Sequence, residues 1–204
     1  MDGRIEKGQG TRARLVATAV ALFGRDGYEA TSVEAVLRAS GMSRGALYHH
    51  FADKKALFEA ALRQVHADNV QATIDAARDS ADGIAALRAG CAAWIRLASV
   101  DKVRRIMLID APAVVGWESW RRIEAEYSFA VVLAGLRAAA RRGIVPTELV
   151  EPIGHVLVAA HIEMAMLIAT ADDQGQAEAA ALATLDLLFE RLLNAPLANV
   201  ERSP

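Results

Sequence analysis

Along almost the whole chain apolar residues recur three and four positions apart, and the strict alternation of a half-buried strand is nearly absent. Ala and Leu are plentiful and Gly and Pro gather at a few breaks, so the pattern predicts an all-α protein. Leu15, Ala19, Leu22 and Phe23 form one stripe of a first helix from about Thr11 to Arg25, and Gly27 offers the left-handed stop that ends it. Thr31 and Glu34 have the spacing of a capping box, which predicts a short helix starting after Thr31 and ending near Ser40-Gly41. A third short helix is predicted from about Ser43 to His49, and Asp53 is placed to cap a fourth. Longer helices are predicted over 82–99, 102–110, 117–142, 147–170 and 176–194, with breaks at Pro112, Gly116, Gly143, Pro146 and Gly175.

The last two of these helices carry too much apolar surface for one buried stripe. Ile153, Leu157, Ala160, Met164 and Leu167 line up on one face, while Ile162, Ala165, Met166 and Ala169 point in other directions. In the final helix Ala181, Leu185, Leu188 and Leu192 form one line, and Leu182, Phe189 and Leu193 another. A helix apolar nearly all round must be buried on more than one side. We therefore expect one stripe to face the subunit's own core and a second to face a partner copy, with Ile162, Met166, Ala181, Leu185, Leu188 and Leu192 as interface candidates.

Composition bounds the function class. A chain of 204 residues, 53% hydrophobic and 24% charged, supports one large domain or two small ones. The N-terminus lacks the apolar segment of an export signal, and the run GHVLVAAHIEMAMLIAT carries His161 and Glu163, so neither a membrane span nor export is expected. The single cysteine, Cys91, forms no internal disulfide or multi-thiolate site, in keeping with a reducing cytoplasm. The net charge of −2 is unevenly spread: residues 1–56 hold nine Lys/Arg against six Asp/Glu, and residues 57–204 fourteen against nineteen. The basic end is the candidate for a polyanion.

Candidate chemistry gathers in SRGALYHHFADKKALFEA, residues 43–60, where His49, His50 and Asp53 invite a metal or catalytic reading. Geometry opposes it, because adjacent helical side chains point about 100° apart and Asp53 lies past the helix end, better used as a cap. His155 and His161 are six residues apart, leaving them about 240° around a helix from one another, on different faces. HIEM lacks the second histidine of HExxH, and neither GxSxG nor a glycine-rich phosphate loop occurs. No catalytic set, metal site or cofactor is therefore expected.

A short helix, a turn at Gly41 and a second short helix, flanked by longer ones, is the layout of a helix-turn-helix. The gapless run over about residues 11–62, marked by Phe23, Gly27, Thr31, Gly41, Ser43, Leu47, Tyr48, Phe51, Lys54 and Leu57, resembles the N-terminal domain of tetracycline-repressor-like (TetR) bacterial transcriptional regulators. The resemblance implies a three-helix DNA-binding domain over residues 1–56, ordered from about residue 10. A helical ligand-binding and dimerisation domain would follow over 57–204. It implies that the third helix enters the major groove, with Ser43 and Arg44 reading bases and Gly45 allowing close approach. Thr31, Tyr48, His49 and Lys54 are then phosphate contacts. His49 departs from the aromatic residue, often tyrosine, of the family pattern, yet an imidazole can still donate to a phosphate. The implied partners are double-stranded DNA with a palindromic operator, a second copy of the chain and a small-molecule effector; the alternative is a helical small-molecule binding or interaction protein without operator-specific DNA binding. Large side chains suited to an effector pocket are Trp94, Met107, Trp117, Trp120, Tyr127 and Met164, with Asp110 as a polar anchor.

Overall fold

The computed structural model describes the backbone of residues 2–193 and the side chains of residues 8–191; among the described residues all regular structure is helical. The N-terminal unit comprises α1 (Asp2–Ala30), α2 (Val33–Ser40) and α3 (Arg44–His50), and α4 (Lys54–Ala77) leads out of it. The larger unit adds α5 (Gly83–Leu97), α6 (Asp101–Val103), a π-helical run Arg104–Asp110, α7 (Ala111–Val115), α8 (Trp117–Arg141), a single 3-10 turn Thr147–Leu149, α9 (Val150–Thr170) and α10 (Gln174–Leu193).

The first helix begins earlier than its apolar stripe predicts. It also runs on past Arg25, with the kink at Gly27 (φ 83°, ψ 170°) where a stop was expected. The positive φ holds glycine there, with the flexible end of Arg105 packed where a Cβ would sit. Leu15, Ala19 and Phe23 are fully buried against Leu57, Phe58, Ala61 and Leu62 of α4. Phe23 and Tyr28 both pack edge-on to Phe58, with centroids 5.1 Å apart, so α4 is rooted in the N-terminal core before it leaves it.

Local caps set the short helices. Ser32, and not Thr31, is the N-cap of α2: its extended backbone lets Oγ accept from the Ala35 N–H at 3.1 Å. Gly41, at φ 67°, ends α2 by donating its N–H to Leu37 O. Ser43 caps α3 and Asp53 caps α4, accepting from Ala46 N–H at 3.1 Å and Ala56 N–H at 2.7 Å.

Two predicted breaks fall inside helices. The helix passes through Pro112 because the preceding π-helical run absorbs the register change, and the proline then sits in the first turn of α7, where an N–H has no intrahelical partner to lose. Gly175 lies within α10; the turn is at residues 171–173, where Asp173 accepts from the Gln176 N–H at 2.9 Å.

The segment Thr147–Thr170 is long and apolar enough to cross a membrane, but half of its most apolar window is buried within the helical bundle. Ile162 is buried in the subunit's own core, as are Ala181 and Leu185 of α10. These three are thus not free for a partner. Met166 and Leu188 are half-buried, and the side chain of Leu192 lies outside the described residues. The apolar side chains that remain outside are Val156 (56% exposed) and Leu167 (59%) on α9 and Leu187 (54%) on α10, with Ala159 and Ala183 beside them.

Candidate DNA-reading face and effector cavity

Leu47 anchors α3 in the core with no exposed surface, and this fixes what the rest of the helix shows. Arg44, Gly45, Tyr48 and His49 are exposed at positions i, i+1, i+4 and i+5, which place them on one face, with Ser43 exposed at its N-terminal tip. A Cβ at Gly45 would meet no atom of the subunit within 4 Å, so internal packing does not demand a glycine there. In the free subunit Arg44 donates to Glu34 of α2 and lies over the Tyr48 ring at 6.0 Å. His49 and His50 pack edge to face with centroids 5.0 Å apart, and the Asp53 carboxylate is taken up as the α4 cap.

Flanking cations extend this surface. Lys54 reaches back over Tyr28, its Nζ 4.1 Å from the ring centroid and 3.5 Å from Glu29 O. Arg12, absent from the sequence-based candidates, lies 5.4 Å from the Phe51 ring centroid beside α3. Thr31 is placed differently from its expected role. It is 2% exposed and its hydroxyl donates to Gly27 O at 2.8 Å, which leaves Ser32 as the exposed hydroxyl at the α2 N-terminus. The two adjacent cap-type residues were the available signal, and backbone conformation decides between them.

The cavity lies among α4, α5, α8 and α9 and has a volume of about 250 Å³. Val70, Ile74, Leu87, Trp94, Val132 and Val158 supply much of its apolar wall. Of the seven residues expected to line a pocket, Trp94 alone does so. Met107 and Trp120 are fully buried core, joined by the indole N–H donating to Met107 O at 2.8 Å, and Asn69 donates to the Met107 sulfur at 3.2 Å. Met164 is buried outside the cavity lining, and Tyr127 stacks on His66 at 5.1 Å. Trp117 is 61% exposed on the surface. Sequence reasoning selected large side chains, but small ones make room: Gly90, Gly135, Ala77 and Ala86 line the space.

Polar groups in and near the cavity were not anticipated. His161 lines it, 6% exposed, with Nδ1 2.6 Å from Leu157 O; desolvation by burial lowers its pKa despite that hydrogen bond. Cys91 lines it as a neutral thiol, its pKa pushed up to about 12 by burial. Deeper in the bundle, His66 of α4 and Glu124 of α8 form a fully enclosed pair, Nε2 to Oε1 3.1 Å.

Asp110, expected at the pocket, instead ties the two units. Its Oδ2 accepts from the Tyr28 N–H at 2.7 Å, just past the Gly27 kink, and from Arg105 Nε at 3.3 Å. The second tie is α4 itself: Lys54 stands at its N-terminal end beside α3, and Val70, Thr73, Ile74 and Ala77 on the same helix wall the cavity. Positions 54 and 70 are about 24 Å apart along the axis.

Two family models match the chain. Residues 15–61 match bacterial regulatory proteins of the tetR family, and residues 84–192 the tetracyclin repressor-like C-terminal domain. The HTH-type transcriptional regulator UidR of Escherichia coli K12 is 36% identical over 64 residues, covering 31% of this chain and 33% of UidR. The Transposon Tn10 TetC protein of Escherichia coli is 28% identical over 122 residues, 60% of this chain and 61% of TetC. The chain thus spans about a third of UidR and under two thirds of TetC. A crystal structure of a TetR-family transcriptional regulator from Pectobacterium atrosepticum superposes with a TM-score of 0.83 at 30% identity, covering 94% of this chain and 98% of that one. With both domains matched and the fold shared over 94% of its length, the chain belongs to the TetR family of bacterial transcriptional regulators.

Proposed function

We propose that the protein is a homodimeric cytoplasmic repressor that reads a palindromic operator through α3 and is released from it by a small apolar or amphipathic effector held in the cavity. The observation that carries the reading is the exposed face of α3, Arg44, Gly45, Tyr48 and His49, on a helix whose continuation through α4 reaches the cavity wall. Arg44 would read guanine by a bidentate pair to O6 and N7, while Tyr48, His49 and Lys54, with Ser32 at the α2 N-terminus, would hold phosphates. Two copies meeting through Val156 and Leu167 of α9 and Leu187 of α10 would present two α3 helices to one side of the duplex. Half-sites then recur at about one helical turn, 34 Å, or an adapted spacing.

Selection of bound duplexes from a fragmented genomic library tests this. The expected result is an inverted repeat enriched over background, with binding lost at high salt. Recovery of unrelated sequences would leave the alternative reading, a helical small-molecule binding protein whose helix-turn-helix reads no operator.

A further inference from the structure

On the reading of α3 as the operator-facing helix, one cation of the N-terminal unit has no role so far. Arg12 of α1 is exposed, and its Cζ lies over the ring of Phe51, 5.4 Å from the centroid. Phe51 is the C-cap of α3, donating its N–H to Leu47 O at 2.9 Å, so the guanidinium is held at the end of the reading helix, two residues past His49. Among the described residues no carboxylate pairs with Arg12. Glu34 is taken by Arg44, and the Asp53 carboxylate by the Ala56 N–H.

Contact with an aromatic face leaves the N–H donors in the plane of a guanidinium unused, and it orders a long side chain before any ligand arrives. A guanidinium held in this way suits an oxyanion that accepts two parallel hydrogen bonds, as a phosphate does. Lys54, the other cation beside α3, reaches instead to Tyr28, close to the C-terminal end of α1. Residues 12 and 28 are roughly 24 Å apart along a helix axis, so the two cations are too far apart to share one phosphate. A major groove about 12 Å wide has a row of phosphates on each side of the helix that enters it.

We propose that Arg12 is a further operator contact, its guanidinium pairing with a backbone phosphate past the C-terminal end of α3 and distinct from the phosphate held by Lys54. The contact adds affinity without base preference, and it makes α1 part of the DNA-binding surface.

Fluorescence anisotropy of the full-length protein on the operator recovered by genomic selection, repeated across a salt series, tests it. Arg12→Met keeps an apolar stem over Phe51 and removes the charge. Its plot of log affinity against log salt should be shallower than that of wild type by about 0.9 of a unit, with operator and scrambled duplex weakened by the same factor. Arg12→Lys should return the slope to the wild-type value. Arg122→Met, which removes the same charge from an exposed position on α8, should leave it unchanged. A wild-type slope in Arg12→Met, a loss confined to the operator, a loss that Arg12→Lys does not restore, or an equal change in Arg122→Met would each overturn the contact. Arg12→Gln supplies a second neutral variant if circular dichroism shows Arg12→Met unfolded. Wild type that prefers no sequence removes the operator reading itself, whereas selective binding with an unchanged slope in Arg12→Met removes this inference alone.

Discussion

In the free subunit Arg44 is already aimed outward, held by Glu34 and laid over Tyr48. Both members of the ion pair are largely exposed, at 65% and 54%, so the pair is weak and easily exchanged for a base edge. Arg44→Ala should therefore cost about 1–3 kcal/mol of operator binding and flatten base preference at one position of each half-site. Lys54→Ala should weaken all sequences alike and shallow the salt dependence by about one unit of slope. Matching base-preference profiles for Arg44→Ala and wild type would remove Arg44 as a reader. At the other end of the subunit, His161 links stability to pH. Burial depresses its folded-state pKa below 6.5, so the unfolded chain binds more protons at this site. Its contribution is fully present above the unfolded value and is lost as pH falls from there toward the folded value. Acidification from about pH 7.5 to about pH 5 should thus lower the Tm of wild type more than that of His161→Phe. Thermal unfolding followed by circular dichroism reads the difference, and equal losses would mean that the buried ring protonates without penalty.

At the scale of helices, α10 separates what holds the subunit together from what faces outward. Leu185 has no exposed surface and Leu187 is 54% exposed, because two positions along a helix are about 200° around it, on nearly opposite sides. Leu185→Ala should cost about 2–5 kcal/mol of folding stability. Leu187→Glu should leave the Tm close to wild type and shift light scattering from dimer to monomer. A stable dimer in Leu187→Glu would place the interface elsewhere. The same pair shows how far sequence could reach. Periodicity disclosed two apolar lines on α10, yet Leu187 lies on neither and both lines contribute buried residues; which apolar residue stays outside depends on where α5 and α9 pack, and no local pattern carries that. Helix order, the turn at Gly41 and the Asp53 cap were legible because each rests on interactions a few residues apart. The π-helical run before Pro112, the cavity and the burial of His161 were not, since they arise from helices far apart in the chain.

For the whole molecule, the proposed function requires that an occupied cavity shift the helix-turn-helix unit. Val70 and Ile74 wall the cavity on the helix that starts at Lys54, so any shift of α4 is carried to the N-terminal unit. Asp110 restrains that unit independently through the Tyr28 N–H. His66 of α4 and Glu124 of α8 lie 3.1 Å apart in the buried contact between those helices. Coupling of this kind is reciprocal: an effector that weakens operator binding by some factor is itself bound more weakly, by the same factor, when operator is present. Factors of about 5–150 are typical. Asp110 is 12% exposed by side chain and takes no part in either proposed binding surface, so Asp110→Ala should leave effector affinity nearly unchanged in the absence of DNA. With the tie gone, the head should respond less to α4, and the coupling factor should fall toward one. Measuring operator affinity with and without saturating effector, and effector affinity with and without operator, gives the factor twice. Agreement of the two values in wild type and their joint decline in Asp110→Ala would identify the Tyr28–Asp110 contact as part of the transmission. An undiminished factor would assign transmission to α4 or to the direct packing of α1 on α6 and on the Arg104–Asp110 run.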